Sequence, residues 1–240
     1  GSWVFLIKVL VVDDSATVRR ILTEELTKDR GIEVVGAAPD PYVARDMILS
    51  KEPDVMTLDL EMPRMDGLTF LKKTMKYHPM PVIVVSSMTP SGSDMALASL
   101  ELGAFDVVCK PGPAYSLGDL GALLVEKVKA GAEADVGKLL LSRSVDLSGL
   151  MPVTLTRTTN KIVAIGASTG GTEAIKQVLQ RFPLNCPPTL IVQHMPEHFT
   201  QGFAKRLNEV ARPEVRQAAD GDLVRAGLVL LAPGNKHMVL

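Results

Sequence analysis

Short apolar runs alternate with longer stretches of helical spacing along the whole chain. The runs Ile7–Val12, Glu33–Ala37, Asp54–Asp59, Pro81–Ser86 and Asp106–Cys109 predict strands. Between them, Val18, Ile21, Leu22 and Leu26 recur at helical spacing behind Ser15, a residue suited to cap a helix N-terminus. Asp66-Gly67 opens a second such stretch, with Leu68, Leu71 and Met75 on one face. Strand–helix alternation of this kind implies a parallel sheet covered by helices. The series closes near Lys110-Pro111, and a last helix is expected over Leu120–Val128.

A second series starts at Lys161. A strand over Ile162–Ile165 runs into Gly166-Ala167-Ser168-Thr169-Gly170-Gly171, and a helix follows with Ala174, Ile175, Val178, Leu179 and Phe182 on one face. Another strand, Leu190–Gln193, ends at His194; Phe199, Phe203, Leu207 and Val210 mark a further helix. The sequence reaches Leu240 in what reads as the middle of a strand run. The expected organisation is therefore an N-terminal domain over 5–130, a Gly-, Ala-, Ser- and Thr-rich linker over 131–160, and a second domain over 161–240.

Composition narrows the function classes. Hydrophobic residues make up 46% and charged residues 22%, the balance of a chain that folds rather than one that stays disordered. The formal net charge is -1, from 26 basic and 27 acidic residues, and no run of Lys and Arg appears, which argues against nucleic acid as a partner. No apolar stretch is long enough to span a bilayer, so direct membrane insertion is not expected. Cys109 and Cys186 are isolated from one another and lack metal or redox spacing, consistent with a reducing, cytoplasmic setting.

Two constellations carry chemistry. Asp13 and Asp14 follow the first predicted strand and Asp59 ends the third. In an open α/β sheet the carboxyl ends of strands converge on one crevice. Three carboxylates there repel one another unless a cation neutralises them, and an all-oxygen set suits Mg²⁺. A carboxylate beside Mg²⁺ can attack phosphorus and form an acyl phosphate. Lys110 after the fifth strand and Ser86 at the end of the fourth can reach the same crevice, as a cation and as a hydroxyl donor.

In the second series, Gly166-Ala167-Ser168-Thr169-Gly170 fits G-x-S-x-G between a strand and a helix, a turn that lifts a serine hydroxyl out of a sheet. A glycine-rich turn of this kind can also cradle a phosphate or a dinucleotide, but the spacing is not G-x-G-x-x-G. His194, at the end of the adjacent strand, is placed to take the serine proton as general base. His78, His198 and His237 are weaker candidates, and Asp220 and Asp222 read as turn residues in an Asp-Gly-Asp segment.

Val11-Val12-Asp13-Asp14-Ser15, Leu58–Gly67, Val85-Ser86-Ser87 and Val108-Cys109-Lys110-Pro111 together resemble the two-component receiver domain. That resemblance implies a flavodoxin-like fold in which Asp59 is the phosphoacceptor. It implies that Asp14, Asp59 and the carbonyl of Glu61 hold Mg²⁺, with Asp13 helping through water, and that Ser86 and Lys110 sense the phosphoryl group. A position that is often aromatic in that family is Val107 here.

The second half, with Ile165–Gly171, Gln193-His194-Met195-Pro196 and Leu231-Ala232-Pro233-Gly234, resembles the catalytic domain of the protein-glutamate methylesterases, the CheB family. This implies a second, Rossmann-like doubly wound domain that hydrolyses γ-glutamyl methyl esters, and deamidates glutamines, on chemoreceptor cytoplasmic domains. Ser168 would be the nucleophile and His194 the base, with Thr169 and Gly170 in the oxyanion and substrate environment. A chemotaxis histidine kinase would be the phosphodonor. The family's triad acid falls beyond Leu240, so the domain reads as C-terminally truncated. Loss of such an acid costs about 10⁴-fold in serine hydrolases, which keeps a second reading open, a receiver-controlled binding module without catalysis.

Overall fold

The computed structural model describes residues 6–63, 65–87, 89–110, 117–135, 137 and 161–240. Two compact units divide the chain, residues 1–144 and 145–240. Most of the expected linker, and Arg64 and Pro111 of the receiver-like motifs, lie outside the described residues.

In the first unit, β1 (Ile7–Val12), α1 (Ala16–Thr27), β2 (Ile32–Ala38), α2 (Pro41–Lys51), β3 (Val55–Asp59), α3 (Gly67–Tyr77), β4 (Val82–Ser86), α4 (Pro90–Leu102), β5 (Asp106–Cys109) and α5 (Leu117–Glu133) follow in strict alternation. The sheet order is β2-β1-β3-β4-β5, all parallel. Every residue of β3, β4 and β5 is buried, which is why these strands read as unbroken apolar runs. Val9, Val11, Ile83, Val85 and Val108 face Leu22 and Leu26 of α1 and Leu120, Leu124 and Val128 of α5. On the opposite face, Met47 of α2 and Leu10 of β1 crowd the one strand glycine, Gly36. The helices start where the sequence places caps: Ser15 accepts from the Val18 N–H and Asp66 from the N–H groups of Leu68 and Thr69. Helix α5 starts earlier and runs three residues further than the linker boundary at 131 allows, because Gly131 packs closely against Pro81 and Phe105 and Ala132 joins the core.

In the second unit, β6 (Val163–Ala167), α6 (Gly171–Arg181), β7 (Thr189–Gln193), α7 (Glu197–Val210), β8 (Glu214–Gln217) and β9 (Leu228–Leu231) form a parallel sheet in the order β6-β7-β9-β8. Leu190, Leu228 and Leu230 pack with Ala218, Val224 and Met238. Phe199, Phe203 and Leu207 bury one face of α7 as expected, with Val210 left half-exposed in the last turn. The stripe on α6 is narrower than its sequence: Ile175 and Leu179 are buried, whereas Ala174 and Val178 are exposed. The final segment is not the strand run it reads as. β9 stops at Leu231, and a turn at Gly234-Asn235, where Asn235 has φ 62, redirects the backbone. Among the described residues no helix is long and apolar enough to cross a membrane.

Candidate functional site

The first constellation assembles at the carboxyl ends of β1, β3, β4 and β5. Asp13, Asp14 and Asp59 present carboxylate oxygens within 4.8 Å of one another. Asp13 and Asp59 are buried and Asp14 is exposed. Lys110 Nζ lies 2.7 Å from Asp59 Oδ2 and 3.0 Å from Asp13 Oδ2. The Lys110–Asp13 approach is an ion pair without hydrogen-bond alignment, so Asp13 Oδ2 stays a buried acceptor with no hydrogen bond.

Burial pushes the Asp13 carboxyl above its usual range; the Lys110 charge opposes that and the Asp59 charge reinforces it. Burial alone would lower Lys110, but the hydrogen bond to Asp59 and the two negative charges outweigh it and raise the ammonium. An under-compensated carboxylate pair with one unaligned buried oxygen is the donor set a hard divalent cation fits.

The surrounding backbone holds the acids in place. Asp13 Oδ1 accepts from the Ser15 N–H and Asp59 Oδ1 from the Glu61 N–H, at 2.8 and 3.0 Å. Glu61 is thereby brought to the crevice by its backbone, while its side chain is exposed. Sequence reasoning missed Arg19. From the first turns of α1 its guanidinium donates to the carbonyls of Asp13 and Asp14 at 2.8 and 3.0 Å and so stiffens the acidic loop. An arginine just past a capping serine and an acid pair was the only available signal.

Ser86 is buried at the tip of β4, and its hydroxyl donates to the Gly92 carbonyl in the first turn of α4, at 2.9 Å, rather than to the acids. The Lys110 N–H donates to the Ser86 carbonyl at 2.8 Å. Val107 is buried in β5.

The second constellation follows from sheet register. Ala167 of β6 pairs with Gln193 of β7, and one residue beyond that rung come Ser168 and His194. The ladder continues past the strands, because the His194 N–H donates to the Ala167 carbonyl at 2.9 Å. Ser168 Oγ lies 3.5 Å from His194 Nδ1, with both residues exposed. The turn between β6 and α6 uses a left-handed residue, Gly170 at φ 73, which glycine adopts without strain. The Gly171 N–H closes that turn onto the Ser168 carbonyl at 2.9 Å.

Gly234 of the Ala232-Pro233-Gly234 segment packs against the backbone that follows His194. The Gly234 N–H donates to Thr200 Oγ1, and a Cβ on Gly234 would lie 2.6–2.8 Å from the backbone of Glu197 and Met195. The other histidines stand elsewhere: His78 caps α3, His198 is exposed in the first turn of α7, and His237 is exposed in the final segment. Asp222 accepts from the Ala219 N–H and pairs with Arg216, a turn role as expected.

These features define a two-unit α/β protein of the response-regulator class, whose second sheet presents a serine and a histidine on adjacent strand tips. Residues 9–119 match the response regulator receiver domain and residues 163–240 the CheB methylesterase domain. A protein-glutamate methylesterase/protein-glutamine glutaminase of Syntrophus aciditrophicus is 54% identical over 235 residues, covering 98% of this chain and 68% of that protein. Proteins of the same name from Anaeromyxobacter dehalogenans and Salmonella typhi are 55% and 48% identical, with 98% of this chain covered in each case and 65% and 67% of theirs. The chain belongs to the CheB family of receiver-linked methylesterases, and it spans about two thirds of the length of these relatives.

Proposed function

We propose that the chain is a phosphorylation-activated protein-glutamate methylesterase and protein-glutamine glutaminase acting on chemoreceptors in chemotactic adaptation. The observation that carries this reading is the 3.5 Å approach of Ser168 Oγ to His194 Nδ1 at neighbouring strand tips. Ser168 attacks the γ-carbonyl of the methyl ester while His194 takes its proton, and the protonated imidazole then returns the proton to departing methanol. Water repeats the cycle on the acyl-enzyme. Because the Gly171 N–H is committed to Ser168, the developing oxyanion falls to Thr169 and Gly170 in the turn. The names of the relatives favour this enzyme reading over a binding module without catalysis.

In the first unit, Asp59 is the phosphoacceptor, and Asp13, Asp14, Asp59 and the Glu61 backbone are the residues to hold Mg²⁺. When bound, that ion neutralises charge on the phosphoryl group being transferred. Lys110 and Ser86 respond to the phosphoryl oxygens. The phosphodonor is the histidine kinase of the chemotaxis system, and the compartment is the cytoplasm, where the receptor's methylated helices lie.

The test is methanol release from a methylated receptor, with and without a small-molecule phosphodonor and Mg²⁺. Release should rise with the phosphodonor, lose that rise in Asp59→Asn, and vanish in Ser168→Ala and His194→Ala. Release that persists in Ser168→Ala rejects the assignment of the nucleophile.

A further inference from the structure

Gln193 is buried, at 5% exposure, on a strand tip whose neighbours carry the reacting groups. Its side-chain nitrogen Nε2 donates to the Ser168 carbonyl at 2.8 Å and to the His194 carbonyl at 3.3 Å. Both partners are carbonyl oxygens, so only the NH₂ end of the amide can face them, and the orientation of the carboxamide is fixed. The other end, Oε1, is buried without a hydrogen bond. It lies where a Cβ on residue 171 would come within 2.3 Å, so the amide rests on the bare Cα of Gly171. A buried acceptor left without a partner is unfavourable. An apolar side chain of the same length would fill this space without that cost, so what the glutamine contributes is its two N–H donors.

We infer that Gln193 is a positioning residue that ties the nucleophile's backbone to the base's backbone and thereby sets the Ser168–His194 separation; this rests on the esterase reading. The Ser168 carbonyl is held from two sides, by Gln193 Nε2 and by the Gly171 N–H. With its carbonyl drawn inward, Ser168 is fixed with its hydroxyl outward. At 3.5 Å the pair stands just outside the range of a short hydrogen bond, where small displacements of either backbone decide whether the proton is shared.

The experiment is the rate of labelling of the full 240-residue chain by a fluorophosphonate. Ser168 Oγ displaces fluoride from phosphorus and its proton passes to His194. Gln193→Met keeps the length and volume of the side chain but removes the donors. The labelling rate constant should fall about tenfold to a hundredfold, while labelling still runs to completion and the melting temperature holds or rises. Gln193→Glu should be at least as slow at neutral pH, where a carboxylate faces two carbonyls. It should recover relative to the parent on acidification, because a protonated carboxyl can donate once to Ser168.

Rate constants within about twofold of the parent in both variants overturn the inference and leave the esterase reading standing. So does a loss of labelling end point with an unchanged rate in the remainder, which marks a merely structural role. Absence of any label at Ser168 in the parent chain, even after prolonged exposure to excess reagent, overturns the esterase reading and this inference with it.

Discussion

Ser168 and His194 are each one residue past the same rung of the second sheet, the pairing of Ala167 with Gln193, and their side chains approach to 3.5 Å. The juxtaposition is therefore a property of register before it is one of side-chain conformation. A parallel pair set one residue out of step would place the imidazole on the other face. The same logic organises the first unit, where the end of β3 supplies Asp59 and the residues directly after β1 and β5 supply Asp13, Asp14 and Lys110.

Lys110 is the one cation recorded between Asp13 and Asp59 among the described residues. Lys110→Met should destabilise the protein by roughly 3 kcal/mol at neutral pH and low divalent concentration, as for removal of one partner from a buried ion pair. Millimolar Mg²⁺ should restore a large part of that loss by binding the folded state alone. Thermal melts of parent and variant with and without Mg²⁺ provide the check; an unchanged melting temperature contradicts it.

Asp13 gives a pH dependence whose sign is set by its raised carboxyl. The folded state binds the proton more tightly than the unfolded state. The stabilisation from protonation is thus fully present below the ordinary value of 3.8 and is lost as pH rises through the folded pKa. The surface pairs Asp29–Lys129 and Asp222–Arg216 hold their carboxyls low and act in the opposite sense, losing their contribution as pH falls. The difference between the parent and Asp13→Asn removes these shared terms. In the absence of divalent ions it should show the variant gaining stability relative to the parent as pH rises from acid toward neutral, measured by denaturant titration. Mg²⁺ should reverse the order.

Gly67 opens α3 directly against the loop that follows Asp59. A Cβ there would lie 2.5 Å from Leu60 Cα and 2.7 Å from its carbonyl oxygen. Gly67→Ala should cost roughly 2 kcal/mol and lower the melting temperature by roughly 5–10 °C. It should also slow phosphorylation of Asp59 by a small-molecule donor, since the Leu60–Glu61 backbone moves with it. A melting temperature equal to the parent's would contradict the packing argument.

Both cysteines are buried free thiols. Burial pushes Cys109 up to about 11, and Cys186 is raised for the same reason. Native protein should resist Ellman's reagent at mildly alkaline pH, and both thiols should titrate promptly once guanidinium unfolds it. Rapid native reaction of either would contradict the assignment.

Much of this was legible in the sequence because parallel strands buried on both faces leave unmistakable apolar runs. β1 and β5 fall at Ile7–Val12 and Asp106–Cys109, the bounds the pattern predicts. β8 escaped notice because Glu214-Val215-Arg216-Gln217 lies at the sheet edge and buries only Val215, so it carries no run. β9 is four apolar residues long and shows mainly as the lead into Ala-Pro-Gly. The acids, Ser86, Lys110, Ser168 and His194 could be placed because strand ends gather residues predictably. Arg19 and Gln193 could not, because each acts on backbone carbonyls, and carbonyls have no letter in a sequence.

One ammonium serving two carboxylates also gives the first unit a mechanical property. Lys110 Nζ holds Asp59, the Lys110 N–H holds the Ser86 carbonyl, and the Ser86 hydroxyl holds the Gly92 carbonyl at the start of α4. If Asp59 is the phosphoacceptor, forming an acyl phosphate there would alter the first of these links, and the remaining two would lead from Lys110 to a helix end one strand away. Three short bonds thus join the crevice to the start of α4, and none of them involves position 107.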